Sequence, residues 1–276
     1  MTSRVLLGVF STAVLVLATF PVGGQIQIST KEAVDATVQM VPCDQKMRLD
    51  GVKKLFASFG ADDSVMSTEQ FDKGKITNLI VRKPGKTDET IIVGAHYDRT
   101  DKGCGALDNW TGITVMGHIY KTLRPLTTDK SYIFVAFDQE EEGLKGSEQM
   151  VKAMKPADLA RTCSMVNFDS FGQAYPMALK TISSAKMLKL AEALGKENKF
   201  TFHVVEIAGA SSDSASFLEK KVPSITLSGL AGNWTEYLHS SNDKLSNVNL
   251  DSVYVGYRFG LQYLAKLDQT VCTDLR

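Results

Sequence analysis

Three short apolar runs, each ending in a residue able to hold a metal, constrain this chain more than any other feature. Residues 90–95 (TIIVGA) run into His96, residues 131–137 (SYIFVAF) into Asp138, Glu140 and Glu141, and residues 164–168 (SMVNF) into Asp169. Apolar runs of this length suit strands buried on both faces of a sheet. Helical patterns at 111–123 and 147–154 lie between them, so strand and helix alternate. Alternation predicts an α/β fold, with a mostly parallel, twisted central sheet and helices on both faces. In such sheets ligands bind beyond the carboxyl ends of the strands, which is where the three candidate ligand positions fall.

The remaining pattern fits that frame. Residues 30–60 read as helical, and Pro42 and Cys43 divide them into two short helices. A strand is predicted over 75–82, turned by Pro84 and Gly85. Later come a helix over 184–198, a strand over 200–207, a short helix over 214–220, a strand over 224–227 and an amphipathic helix over 250–267.

The amino end is different in kind. Arg4 precedes an apolar run over 5–20, followed by Pro21, Gly23 and Gly24. A basic start, a short apolar core and small residues describe a secretory signal peptide over residues 1–24. The alternative, an uncut anchor, asks for about 20 apolar residues. The reading leaves 25–276 as a single domain, secreted or periplasmic, with no stable membrane association after cleavage. Lysine and arginine number 31 and aspartate and glutamate 31, so no basic excess points to nucleic acid. Cys43, Cys104, Cys163 and Cys272 form no CxxC pair, which argues against a cysteine zinc site and is compatible with two disulfides of open connectivity.

Taken singly, each candidate residue has an ordinary explanation: a solvated carboxylate, a helix cap or a structural histidine. Together they do not. In HYD, Asp98 stands two residues from His96, on the same side of an extended stretch, and can orient the imidazole. In GCGALDNWTG, Asp108 precedes a helix and can bridge two metals, provided that Asn109 or Thr111 takes the cap. The sequon at Asn109 lies inside this loop and is discounted as a glycan site. In DQEEEGLKGS, adjacent glutamates can divide metal binding from proton transfer. His118 and His203 fall in no motif and read as structural.

HYD, GALDNWTG, EEEGLKGS, NFDSFG and the late histidine of YLHSSND, in this order, resemble the co-catalytic di-zinc exopeptidases. That family includes secreted aminopeptidases, glutamate carboxypeptidases and, more distantly, glutaminyl cyclases. The resemblance is strong over 76–172 and 209–245 and weak before residue 70. It implies the zinc-exopeptidase (phosphorylase/hydrolase-like) fold and two zinc ions per chain. His96 and Asp169 would bind one ion, Glu141 and His239 the other, and Asp108 both. Asp98 would orient His96. Glu140 would be the general base for a metal-bridging hydroxide. A slip of one residue in the glutamate run would instead make Glu141 the base and Glu142 the ligand. Tyr237 is a candidate oxyanion or substrate contact, and Trp234, in a second sequon at Asn233, a candidate pocket residue. Two departures stand out: Cys104 where proline is usual, and Ser214 where relatives often carry histidine. Both bear on pocket shape.

The resemblance favours an aminopeptidase acting on peptides with a free amino end. Glutaminyl cyclase, with one zinc, is the alternative of a different reaction class. A glutamate-type carboxypeptidase would need arginines for its substrate's carboxylates, and Arg99 alone does not supply them. A non-catalytic ectodomain would have lost ligands that this chain keeps.

Overall fold

The computed structural model describes residues 26–276; the signal-peptide reading lies outside the described residues. Helices α1 (Lys31–Val38) and α2 (Gln45–Ser58) open the chain, and Thr30 and Asp44 cap them with side-chain oxygens. They are two helices, as Pro42 and Cys43 require. Strands β1 (Met66–Phe71), β2 (Ile76–Lys83) and β3 (Thr90–His96) follow. Next come α3 (Thr111–Leu123), β4 (Ser131–Phe137), α4 (Lys145–Ala153), α5 (Pro156–Arg161) and β5 (Thr162–Phe168). The last part holds β6 (Met177–Leu179), α6 (Ala185–Glu197), β7 (His203–Val205), α7 (Ser214–Glu219), β8 (Ser224–Ser228), α8 (Leu250–Gln269) and α9 (Cys272–Leu275).

All strands join one sheet, in the order β1-β2-β4-β3-β5-β8-β6-β7. Its centre, β4-β3-β5-β8, is parallel. The antiparallel pairs β1-β2 and β2-β4 extend one side, and β6 runs antiparallel to β8 on the other. From β3 the chain adds β4 on one flank and β5 on the other, so the strand order reverses at β3. That reversal opens a crevice at the carboxyl ends of these strands.

Helices cover both faces, which explains why β3 and β5 are buried throughout. Ile91, Val93 and Ala95 point into a core shared with α1, α2, α3, α6 and α8, while Ile92 points into a second core with Met150, Val151 and Phe217 of α4 and α7. Gly94 faces the second core. A Cβ there would sit 2.5 Å from the Phe137 ring and 2.7 Å from the Met165 methyl, so only glycine fits.

The structure adds elements that the sequence pattern hides. β1 (MSTEQF) is a half-exposed edge strand without an apolar run. The strand expected over 200–207 shrinks to His203–Val205. Phe200 and Phe202 turn instead to Phe259 of α8, with ring centroids 5.5 and 4.5 Å away. The cysteines pair as Cys43–Cys104 and Cys163–Cys272. No helix among the described residues is long and apolar enough to cross a membrane.

His118 is structural, as read. Its ring lies 2.9 Å from Thr37 Oγ1 and 2.8 Å from Ser29 Oγ, and 4.8 Å between centroids from Phe59. Burial, helped by Lys121, lowers its pKa from 6.5 to about 4, so the folded chain holds it neutral. Between these values the unfolded chain takes up a proton that the folded chain refuses. The stability this group contributes is therefore complete above 6.5 and is lost as pH falls toward 4. Melting curves of wild type and His118→Gln should show a gap that narrows from pH 7 to pH 4; a constant gap would contradict this account.

Candidate metal centre

Three sharp turns bring the chemistry together at the crevice. β3 ends directly in His96. β4 ends at Phe137, and the chain then turns through Gln139 at φ +54° before Glu140 and Glu141. β5 ends at Phe168, and Asp169 is followed by Ser170 at φ +58°. His239 itself adopts φ +54°. Such left-handed non-glycine residues cost about 1 kcal/mol or more and persist where the surroundings hold them. Here they adjoin or occupy the positions singled out by sequence. Asp138 takes no part, since its carboxylate turns back to accept Thr77 N–H at 2.9 Å.

The Asp108 carboxylate sits between two imidazoles. Its Oδ1 is 3.1 Å from His96 Nε2 and its Oδ2 is 3.2 Å from His239 Nε2. Asp169 Oδ1 is 3.6 Å from His96 Nε2, and Glu141 Oε2 is 3.0 Å from His239 Nε2. A tetrahedral zinc with bonds near 2.0–2.1 Å separates its ligands by about 3.3 Å, so these spacings fit two ions sharing Asp108. Glu141 Oε1 is buried without a hydrogen-bond partner, which leaves it free for such an ion. Glu140, His96 and Asp169 also present atoms within 4.8 Å of one another. Glu142 is exposed on Lys145 at 2.6 Å, so the turn brings Glu141, and not Glu142, to His239.

Neighbouring groups hold this set in place. Asp98 Oδ1 lies 3.3 Å from His96 Nδ1, and its two oxygens accept the Glu140 and Glu141 N–H groups, both at 3.1 Å. One side chain therefore ties the HYD segment to the glutamate turn. Asn109, not Asp108, caps α3: its Oδ1 accepts Gly112 N–H and Ser170 N–H at 3.0 Å, and its Nδ2 donates to Phe168 O. Asn109 is fully buried and both ends of its amide are engaged, so it is no glycan acceptor. The Asp108–Asn109 peptide is cis. Ser212 Oγ donates to Asp169 Oδ2 at 2.5 Å.

Sequence reasoning missed several contributors. Asp243, on the His239 loop, accepts Leu107 N–H at 2.7 Å and Asp108 N–H at 3.3 Å. Arg48 of α2 donates to the backbone beside His96 and beside Asp108. Asp213 is fully buried, with both oxygens unpartnered. Its neighbour Ser214 sits behind the site on Ile182 O and Thr226 Oγ1. A signal existed for Asp243, the carboxylate four residues after the ligand histidine.

The electrostatics follow from crowding. Burial would lower the His96 pKa, but Glu140, Asp108, Asp169 and Asp98 outweigh it and leave it well above its ordinary value. His239 is pushed up to about 11 by its bonds to Asp108 and Glu141. Burial pulls Asp108 up, yet the two histidines hold it below the usual carboxylate range. Burial first, then neighbouring carboxylates, raise Glu140 well above its ordinary value and bring Asp213 and Asp243 to about 7.

The site opens into a cavity of about 480 Å³. Asp108, Glu140, Glu141, Asp169 and His239 line it, together with the apolar side chains of Leu179, Ile207, Leu230, Trp234 and Leu238. Tyr237 does not line it; it is half-buried in an apolar cluster with Leu107, Met177 and Leu230. A larger cleft, about 660 Å³, lies by β1, β2 and α5 and contains none of the candidate ligands.

Residues 78–256 match the profile of Peptidase family M28. The chain belongs to that family. Aminopeptidase YwaD of Bacillus subtilis is 28% identical over 170 residues, which are 59% of this M28 chain and 37% of that protein. A probable leucine aminopeptidase 2 of Trichophyton verrucosum is 24% identical, covering 74% of this chain and 47% of its own. The chain thus spans less than half the length of these curated relatives. Among solved structures, a glutaminyl cyclase from an Acidobacteriales bacterium superposes with a TM-score of 0.76 at 17% identity, over 91% of this chain and 99% of that one. At that identity the likeness is one of fold.

In the metal-free M28 chain the raised imidazoles hold protons near neutral pH, and an ion has to displace them. Zinc affinity, measured by chelator competition, should therefore rise steadily from pH 6 to pH 9. A flat profile would show that the histidines are not proton-loaded ligands.

Proposed function

We propose that this chain is a zinc-dependent exopeptidase, specifically an aminopeptidase, whose single domain of residues 25–276 works in a secreted or periplasmic setting. The observation that carries the reading is Asp108, which offers one oxygen toward each of two histidines. His96 and Asp169 would hold one zinc and Glu141 and His239 the other, with Asp108 shared. Two bound zinc ions would acidify water and polarise the scissile carbonyl. Asp108, Glu141 and Asp169 bring three negative charges against their four positive ones. The two disulfides support an oxidising compartment.

The protein's own part is proton handling and orientation. Glu140 lines the cavity beside His96 and Asp169 and is not needed as a ligand. It takes a proton from water as the carbonyl is attacked and returns it to the departing amine. A carboxyl whose surroundings raise its pKa can retain that proton between the two events. Asp98 fixes the His96 ring and the backbone of Glu140 together.

The cavity also bears on the subtype. Among the described residues, its charged lining is four of the candidate ligands and Glu140, with no lysine or arginine. A carboxypeptidase needs cations for its substrate's carboxylate, whereas an ammonium group is welcome in this acidic mouth. The apolar part of the lining supports a preference for an apolar first side chain. The end-to-end superposition on a glutaminyl cyclase keeps that second reading in view.

The test is zinc per chain, with hydrolysis of aminoacyl anilides before and after chelation. Two zincs are expected, with leucine and methionine anilides cleaved faster than glutamate or lysine ones. Glu140→Gln should keep the zinc and lose about 10²–10⁴-fold in kcat. One zinc, no anilide cleavage and cyclisation of amino-terminal glutamine would replace the aminopeptidase with the cyclase.

A further inference from the structure

Helix α2 precedes residues 78–256, where the family match lies, yet it sends one side chain behind the metal site. Arg48 is fully buried. Its Nε donates to Tyr97 O, the carbonyl between His96 and Asp98. Its Nη1 donates to Pro42 O and Cys104 O, both at 3.1 Å, and its Nη2 to Gly105 O at 3.2 Å. Cys104 and Gly105 begin the loop that carries Asp108. One rigid fork therefore joins the His96 segment to the Asp108 loop.

The surroundings are shaped to this fork. The guanidinium lies 5.8 Å from the Trp110 ring centroid. Gly105 has φ +65°, and a Cβ there would come within 2.9 Å of Arg48 Nη1. The Cys43–Cys104 disulfide pins the segment before α2 to the same loop, and Gln45 Oε1 accepts Arg99 N–H at 3.1 Å. Cys104 N–H in turn donates to Asp243 O at 2.6 Å.

Buried cations usually face carboxylates, because an unpaired charge is costly out of water. All four Arg48 bonds go instead to neutral carbonyls. Burial lowers its pKa to about 10, with Asp98, Asp243 and Asp108 opposing the drop, so it stays charged at neutral pH. Set one layer back, the charge relieves the crowded carboxylates without occupying the lone pairs an ion would use.

We propose that Arg48 is a positioning residue for the metal site, setting the spacing between the His96 segment and the Asp108 loop and offsetting the carboxylate charge from behind. This rests on the two-zinc reading. Lysine keeps the charge but cannot reach four carbonyls from one nitrogen, and methionine keeps bulk without either.

The experiment compares full-length wild type with Arg48→Lys and Arg48→Met. It measures zinc affinity by chelator competition, amide exchange over 97–108 in the metal-free protein, and kcat and KM on leucine anilide. Arg48→Lys should keep wild-type protection in β3, β4 and β5 while exchange over 97–108 rises about tenfold. Its zinc affinity should fall about 10- to 100-fold, the range seen when groups supporting ligands are removed. kcat should fall with it, and KM should change little. If Arg48→Met does not fold, Arg48→Lys decides. An Arg48→Lys protein with a lower melting temperature but unchanged zinc affinity and loop exchange overturns the proposal, because Arg48 is then a structural brace only. A wild type that binds two zincs yet cleaves nothing ends the peptidase reading alone, and affinity and exchange still judge Arg48. A wild type that binds no zinc overturns both.

Discussion

Carboxylate crowding is the constraint around which this molecule is arranged. Asp98, Asp108, Glu140, Glu141, Asp169, Asp213 and Asp243 are gathered at the ends of three buried strands, most of them out of water. Like charges at such spacing repel strongly once the solvent is removed. The chain answers in three ways: imidazoles face Asp108 and Glu141, backbone N–H groups face Asp98 and Asp243, and a buried guanidinium stands behind. Where these fall short, as at Asp213 and Glu140, burial and the neighbouring carboxylates raise the carboxyl's pKa above its ordinary value. Divalent cations are the natural complement to what remains.

The sheet makes the crowding possible. Reversal of strand order at β3 leaves the ends of β4 and β5 on opposite sides of His96, so side chains distant in sequence meet without long loops. β4 and β5 are then followed by sharp turns, through Gln139 just before Glu140 and through Ser170 just after Asp169. A parallel centre covered on both faces gives those turns a rigid base.

How much could be read beforehand depended on whether a residue's neighbours in space were also its neighbours in sequence. The strands over β3, β4 and β5 and helix α3 were legible because their apolar patterns are local. So was the pairing of Asp98 with His96, two residues apart. The motif order marked Asp108, Glu141, Asp169 and His239 as a set, and the spacings around Asp108 fit that grouping. Arg48 was illegible, since a lone arginine on a helix ordinarily faces water and only the folded chain shows that it does not. β1 escaped because a polar edge strand has no apolar signature. The cysteine pairing could not be deduced from separation along the chain, and Cys104, an apparent departure within the loop, proves to be the loop's tether to Cys43.

That tether also divides the candidate set along the chain. A chain that emerges from its amino end presents Cys43, Arg48, His96 and Cys104 well before Glu141, Asp169 and His239 exist. The disulfide closes the Asp108 loop against the start of α2, while three of the five candidate ligands lie farther along the chain. The last arrival, His239, is the half-exposed member, on a surface loop facing the open cavity. The candidate centre thus sets a buried wall of side chains against one outer histidine that stays open to solvent.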